Sequence, residues 1–195
     1  MKILLIADKI YKGLYDYFDR ERWSDIDLIL SAGDLKAKYL TFLVTLINYA
    51  PLYYVRGNHD LSYKENPPAG CIDIHKKVVN HQGLNIIGFE GAKWFGGQTI
   101  EYKEWYRKLQ IMSMWPGFFR KDIDIIVTHS PPAGIYKDTG YAHRGFEIYN
   151  WLIAKLQPDY FIHGHVHLNY GRKSRINHSG KTTIINAYDH YVLEV

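Results

Sequence analysis

The sequence has 195 residues, of which 47% are apolar and 23% charged, the balance of an ordinary globular protein. This length predicts a single domain over residues 1–195 with a substantial core. The formal charge of +4 suits an anionic substrate, but no run of lysine and arginine predicts a nucleic-acid-binding surface.

The compartment is predicted from cysteine usage and from the apolar runs. Cys71 is the single cysteine, which excludes an intramolecular disulfide and fits a reducing environment. The apolar run after Lys2 has only five residues, too few for the core of a signal peptide. No stretch approaches the roughly 18 apolar residues that a membrane span needs. We therefore expect a cytoplasmic protein with no membrane partner, and the oligomeric state stays open.

The first sixty residues alternate between strand and helix patterns. Short apolar runs predict buried strands, and apolar residues three and four positions apart predict helices. The order strand–helix–strand–helix–strand is typical of a parallel sheet with crossover helices. The strands are predicted at 3–7, 26–30 and 51–55, and the helices at 14–18 and 36–49.

The remainder of the chain predicts a mixture of loops, strands and two more helices. Residues 61–83 are polar and contain Pro67-Pro68, so they predict a loop. A break is expected at Pro116-Gly117. The tail predicts antiparallel strands near 170–172, 182–186 and 191–195. Further strands are predicted at 84–89, 123–128 and 160–162, and further helices at 102–112 and 146–156.

Polar side chains follow five predicted strands, at the edge of an α/β sheet where ligands bind. Singly, Asp8 and Asp34 could be helix caps or turn residues, and His129 could be a structural histidine. Together, carboxylate, amide and imidazole groups without thiolates predict a site for Mn²⁺, Fe or Zn²⁺. The clusters are Asp8, Asp34, Asn58-His59-Asp60, His129 and His165-x-His167.

Four motifs resemble those of the calcineurin-like metallophosphoesterase superfamily, over residues 8 to about 186. They are Gly33-Asp34, Gly57-Asn58-His59-Asp60, Thr128-His129 and Gly164-His165-Val166-His167. The resemblance implies an α/β fold, a four-layer α/β/β/α sandwich with mixed sheets. It also implies a dinuclear metal site at the strand ends. The small size and the segment 183–187 suggest a bacterial-type or class III-like phosphodiesterase.

By the same resemblance, Asp34 bridges two metals. Asp8 and His167 belong to the first metal, and Asn58, His129 and His165 hold the second. His59 is the general acid, oriented by Asp60. The implied cofactors are two divalent ions, with Mn²⁺ expected first and Fe, Zn²⁺, Ni or Mg²⁺ as alternatives.

The chain departs from the family pattern Asp-x-His in its first motif, which reads Asp8-Lys9-Ile10. Ile10 has no donor atom, so the first metal keeps three protein ligands and water. An open site of that kind is workable, and we expect weaker binding there. Lys9 is expected to be a solvated surface lysine.

The function expected from these residues is hydrolysis of a phosphodiester or phosphomonoester by hydroxide formed between the two metals. His59 would protonate the leaving group. Two other functions stay open: a nuclease, and a degenerate metal- or anion-binding or scaffolding module that lacks turnover because of Ile10. Expected partners are small phosphoesters, including a nucleotide, rather than nucleic acid. Substrate contacts are expected from Tyr141, His143 and Arg144, unless these simply cover the sandwich.

Overall fold

A computed structural model describes residues 1–47, 49–97, 99–118, 122–136, 143–168 and 173–195. The helices of this part of the chain are α1 (Ala37–Leu46), α2 (Glu104–Phe118) and α3 (Glu147–Leu156), with 3₁₀ helices at Lys12–Leu14 and Leu61–Lys64. The strands are β1 (Lys2–Ala7), β2 (Leu28–Ser31), β3 (Leu52–Tyr54), β4 (Ile72–Asp73), β5 (Val78–His81), β6 (Leu84–Phe89), β7 (Ala92–Lys93), β8 (Glu101–Tyr102), β9 (Ile125–Thr128), β10 (Tyr160–His163), β11 (Ile176–Ser179), β12 (Thr182–Asn186) and β13 (Asp189–Glu194).

Two mixed sheets form the centre of the molecule. The first has the order β13-β1-β2-β3-β4, in which β1 to β4 run parallel and β13 is antiparallel to β1. The second has the order β11-β12-β10-β9-β6-β5, in which β6, β9, β10 and β12 run parallel. The remaining pair, β7 and β8, is a small parallel ribbon.

The sheets pack face to face and each is covered by helices on its outer side. Alternate residues of β1 show this: Ile3 and Leu5 lie in the core between the sheets, whereas Leu4 and Ile6 pack outward against α1. On the other sheet, Ile126 packs outward in the cluster that includes residues of α2 and α3. The result is the expected α/β/β/α sandwich.

Several local predictions were wrong. The helix at 14–18 is a 3₁₀ turn, since Leu14 is buried but Tyr17 is 75% exposed, which leaves no apolar face. Residues 61–83 contain β4 and β5, short edge strands held by backbone pairing. Helix α2 ends at Phe118, so it stops two residues after Pro116 rather than at it. The missing N–H of Pro116 removes one backbone hydrogen bond, and the helix ends within the same turn.

The tail also differs from the prediction. Strand β12 runs parallel to β10, and the antiparallel pairs are β11 with β12 and β13 with β1. The strand predicted at 170–172 lies outside the described residues. None of the described helices combines the length and apolar character required of a bilayer-spanning helix.

Candidate metal centre

The five polar clusters meet at one edge of the sandwich. Asp8 and His129 directly follow β1 and β9, and the other clusters follow β2, β3 and β10. Contacts between the sheets join them: the His129 ring lies 3.3 Å from the Asp34 carboxylate, and His165 contacts Asp8. The parallel strands thus bring together side chains that are far apart in sequence.

Three acceptor atoms converge around the fully buried ring of His129. Its Nδ1 lies 2.7 Å from the carbonyl oxygen of Ala32 and therefore carries the hydrogen. Its Nε2 faces Oδ1 of Asn58 at 3.0 Å and Oδ2 of Asp34 at 3.3 Å. In a neutral ring, Nε2 carries a lone pair that points at two other acceptors. This arrangement is unfavourable unless a proton or a metal cation lies between them.

The donor set fits a divalent metal. Donor atoms of Asp34, His129 and His165 lie within 4.8 Å of one another. Asn58 is 1% exposed, and its Nδ2 has no hydrogen-bond partner in the described structure. Burial of an amide in this way is costly, and ligation of a cation through Oδ1 would account for its position. Oxygen and imidazole donors suit Mn²⁺, Fe or Zn²⁺.

His129 and Asp34 form a buried pair of opposite charges. Burial by itself disfavours the charged imidazole, but the adjacent Asp34 carboxylate outweighs it and raises the pKa of His129 to about 9. Burial likewise would raise the pKa of Asp34, yet the His129 charge and hydrogen bond hold it well below its usual range. His129 and Asp34 therefore form an ion pair, and a divalent cation could replace the proton of His129.

Asp8 occupies the other half of the site. Its side chain is 1% exposed, and its carboxylate accepts hydrogen bonds from the backbone N–H of His165 at 2.9 and 3.0 Å. Nε2 of His167 lies 3.8 Å from Oδ1 of Asp8. Burial raises the pKa of Asp8 to about 7, partly opposed by the charge of His129. Asp8 and His167 thus form a second pair of donors beside the first.

Three of these donors sit on strained backbone. Asp8, Asp34 and His165 have φ values of 62°, 56° and 65°, in the left-handed region that non-glycine residues rarely adopt. At Asp8 and His165, the next N–H bonds back to the preceding carbonyl, as in a tight γ-turn. Such strain persists where the surrounding structure imposes it and is concentrated at functional sites.

The motif glycines allow the close approach of these turns. A Cβ on Gly57 would lie 2.1 Å from Oδ1 of Asp34, and a Cβ on Gly164 would lie 2.7 Å from Oδ2 of Asp8. Any larger residue would displace a candidate ligand.

His59 and Asp60 have different environments. His59 is exposed, and its backbone N–H donates to Oδ1 of Asp34 at 2.8 Å. Asp60 is buried, and its Oδ2 accepts the backbone N–H groups of Gly57 and Asp34 at 2.7 and 2.8 Å. Between these two described residues, no side-chain hydrogen bond is formed. Burial, with the nearby Asp34 charge, raises the pKa of Asp60 to about 6.

Ile10, which stands where the family pattern has a histidine, packs against the protein interior. Ile10 is partly buried against the apolar cluster between the first sheet and α1. Lys9 is an exposed surface lysine, as expected, and its Nζ lies 3.6 Å from the carboxylate of Asp189. Neither residue supplies a neutral donor to the first metal position.

The predicted substrate contacts are only partly described. The ring of His143 lies 4.9 Å from the ring of His165, centre to centre, so His143 borders the site. Burial and the charge of Lys173 lower its pKa. Arg144 is exposed, and Tyr141 lies outside the described residues.

The sequence reasoning missed a role for His163. This buried residue has Nδ1 2.9 Å from the carbonyl oxygen of Gly164 and Nε2 3.1 Å from the hydroxyl of Tyr136. Burial lowers its pKa to about 4, so it is neutral. It fixes the peptide that precedes His165. Its position at the end of a buried strand, next to the His165-x-His167 motif, is the signal by which it could have been found.

A second missed feature is the buried network around Glu90. Arg56, which directly precedes Gly57, donates to Glu90 at 2.7 and 3.1 Å. The hydroxyl of Tyr102 donates to the same carboxylate at 2.6 Å, and the fully buried Arg107 donates to the Glu90 carbonyl. These bonds anchor the turn that carries Asn58 and His59.

The four-layer fold and the donor set are those of a metallophosphoesterase-type protein. The sequence model of the calcineurin-like phosphoesterase family matches residues 1–169, and the chain belongs to that family. Membership supports a phosphoesterase hydrolase in general terms.

Individual relatives are distant. A UPF0046 protein of Caenorhabditis elegans is 26% identical over 186 residues, which cover 84% of this chain and 62% of the relative. Human metallophosphoesterase domain-containing protein 1 is 27% identical over 120 residues, 60% of this chain and 34% of that protein. The chain thus spans less than two thirds of the length of these curated relatives.

Solved structures share the fold at low identity. One covers 98% of this chain and 94% of its own, with a TM-score of 0.69 and 17% identity. The protein TT1561 of Thermus thermophilus has a TM-score of 0.63 at 16% identity, and the match covers 96% of this chain and 89% of that one.

Proposed function

We propose that this chain is a dinuclear metal-dependent phosphoesterase that acts on a small phosphodiester or phosphomonoester, with nucleotides among the candidate substrates. The observation that carries the proposal is the convergence of two oxygens, Asn58 Oδ1 at 3.0 Å and Asp34 Oδ2 at 3.3 Å, on Nε2 of the buried His129. Family membership supports the reaction class.

The residues divide between two metal positions. Asn58, His129 and His165 would hold one ion, Asp8 and His167 the other, and Asp34 would lie between them. The chemistry supplied by bound cations is neutralisation of the phosphoryl oxygens and a lower pKa for the attacking water. Mn²⁺ is our first choice among the divalent metals.

His59 is the candidate general acid. Its ring is exposed at the site, while its backbone is held by Asp34 at 2.8 Å. A protonated ring there would deliver its proton to the leaving oxygen. Since phosphoryl transfer depends on positioning and charge, no serine or cysteine nucleophile is needed. Cys71 fits this view, because burial raises the pKa of its thiol to about 11.

A second candidate function follows from Ile10. With an apolar, core-packed side chain at this position, the first metal keeps only Asp8, Asp34 and His167. A chain that fills only the second position would bind a metal or an anion with little turnover.

One experiment separates these functions. The purified chain is loaded with Mn²⁺, its metal content is measured, and it is assayed on bis-p-nitrophenyl phosphate, p-nitrophenyl phosphate, cyclic nucleotides and single-stranded DNA. Hydrolysis with about two metals per chain supports the dinuclear enzyme. Bound metal without turnover of any substrate overturns it in favour of the binding module, and preferred cleavage of DNA would favour a nuclease.

A further inference from the structure

An aromatic segment lies against the turn that carries His59. Residues 91–102, which we call the aromatic loop, include β7 and β8; Gln98 is not among its described residues. The N–H of Gly91 donates to the carbonyl of Arg56 at 2.8 Å, and the N–H of Ile100 donates to the carbonyl of Asn58 at 3.0 Å. Both ends of the loop are therefore bonded to the turn, on either side of Gly57.

The loop is held in place by its own hydrogen bonds. The Glu101 carboxylate accepts the N–H groups of Phe95 at 3.1 Å and Gly97 at 3.3 Å. The N–H of Trp94 donates to the carbonyl of Tyr102 at 3.0 Å, and the Tyr102 hydroxyl bonds the buried Glu90. These hydrogen bonds hold the aromatic loop in a fixed conformation next to the turn that carries His59.

Two large rings on this braced loop remain exposed to solvent. Trp94 is 46% exposed and Phe95 is 41% exposed. The ammonium of Lys103 lies 5.0 Å from the centre of the Trp94 ring. Exposed aromatic rings with an adjacent cation, fixed next to a catalytic turn, form a surface on which a planar group can stack.

We infer that Trp94 and Phe95 form the leaving-group subsite and select phosphoesters whose leaving group carries a planar ring, the biological class being a nucleoside. This inference rests on the proposed function, because it is the general acid His59 that defines the leaving-group side. In the proposed reaction the leaving oxygen would lie next to His59. The group attached to it would then have the aromatic loop beside it, because that loop is bonded to both flanks of the turn that carries His59. Base–aromatic stacking is tolerant of base identity, so adenosine and guanosine are both expected to bind.

The test compares ligands that differ only in the base. With bis-p-nitrophenyl phosphate as reporter substrate, AMP and ribose 5-phosphate are measured as competitors of the Mn²⁺-loaded chain. Trp94→Ala is expected to weaken the binding of AMP by about tenfold, as stacking energies of this kind predict. The binding of ribose 5-phosphate should be nearly unchanged. Phe95→Ala should act in the same direction. Trp105→Ala is the matched control, since Trp105 is 60% exposed on α2 and outside the loop.

A second measurement separates this inference from the proposed function. Adenosine binding is followed by calorimetry without reference to turnover, together with the oligomeric state of each variant. If no substrate is hydrolysed but adenosine binds and Trp94→Ala abolishes binding, the proposed function fails, and Trp94 and Phe95 stand only as a nucleoside-binding surface. If AMP and ribose 5-phosphate change equally, or if Trp94→Ala only dissociates a dimer, the inference is overturned.

Discussion

The backbone N–H of His165 lies 2.9 and 3.0 Å from the two carboxylate oxygens of Asp8, although the residues are 157 positions apart. Both residues have left-handed backbone, at φ 62° and 65°. The bond joins the first sheet to the second at the point where the two candidate metal positions meet. Each half of the centre therefore holds the other half in place, and a change to one donor should weaken binding at both proposed metal positions.

Asp34→Asn should remove metal binding and activity together. The substitution keeps the shape of the side chain but takes away the charge that balances the buried His129 ring, 3.3 Å away. We expect metal affinity and kcat/KM to fall by more than about 100-fold, because about 100-fold is already the upper end for residues that only support a metal ligand. Calorimetry with Mn²⁺ and ester hydrolysis measure this. Full activity in this variant would contradict the bridging position of Asp34.

The sequence was sufficient to predict which side chains meet at the edge of the sheets, and insufficient to predict the contacts that support them. Asp8, Asp34, His129 and His165 are found because a parallel sheet aligns its strand ends, so order along the chain predicts proximity. The partners of Asp60 are backbone N–H groups, one of them 26 residues earlier, and no side-chain pattern encodes that pairing. Edge strands such as β4, two residues long, escape pattern reading because their pairing depends on a neighbouring strand rather than on their own residues.

His59→Ala should separate metal binding from turnover. The side chain is exposed and only its backbone bonds Asp34, so both the fold and the metal content should be retained. Loss of a general acid typically costs about 10²- to 10⁴-fold, and most for poor leaving groups. We expect a large loss on cyclic nucleotides and a smaller loss on bis-p-nitrophenyl phosphate. Equal losses on both substrates would argue against proton donation by His59.

Two substitutions at Asp60 distinguish a role in supporting the backbone of the site from a role in orienting His59. Its Oδ2 accepts two backbone N–H groups, and the amide oxygen of asparagine can accept the same two bonds. Asp60→Asn should therefore keep most activity, whereas Asp60→Ala leaves two buried donors unpaired and should cost about 1–3 kcal/mol of stability per unpaired group. Chemical unfolding and the pH–rate profile are the measurements. If Asp60→Asn shifts the profile and loses activity as severely as the alanine variant, Asp60 acts on His59 instead.

Ile10→His tests the departure in the first motif. The new imidazole would add a donor next to Asp8 and should tighten the first metal by about tenfold or more. Removal of Ile10 from its apolar contacts should cost about 1–2 kcal/mol in stability. Metal titration by calorimetry and elemental analysis measure stoichiometry, with Ile10→Leu as the apolar control. The same stoichiometry and affinity in the histidine variant would show that Ile10 does not limit the first site.

Metal binding should release protons and strengthen as pH rises from about 6 to about 9. In the metal-free chain, burial raises the pKa of Asp8 to about 7, and Asp34 raises the pKa of His129 to about 9 against the effect of burial. Both folded values lie above the ordinary ones. The stability that these protons contribute is therefore present at low pH and is lost as pH rises through about 7 and then about 9.

A divalent cation displaces these protons, and at lower pH the protons compete with the cation for the same donor atoms. The increase in Tm caused by saturating Mn²⁺ should thus be larger at about pH 8.5 than at about pH 6, and calorimetry in buffers of different ionisation enthalpy should show net proton release. Asp34→Asn serves as the control, because it should lose both effects. A Tm increase independent of pH, without proton release, would mean that the cation binds away from Asp8 and His129.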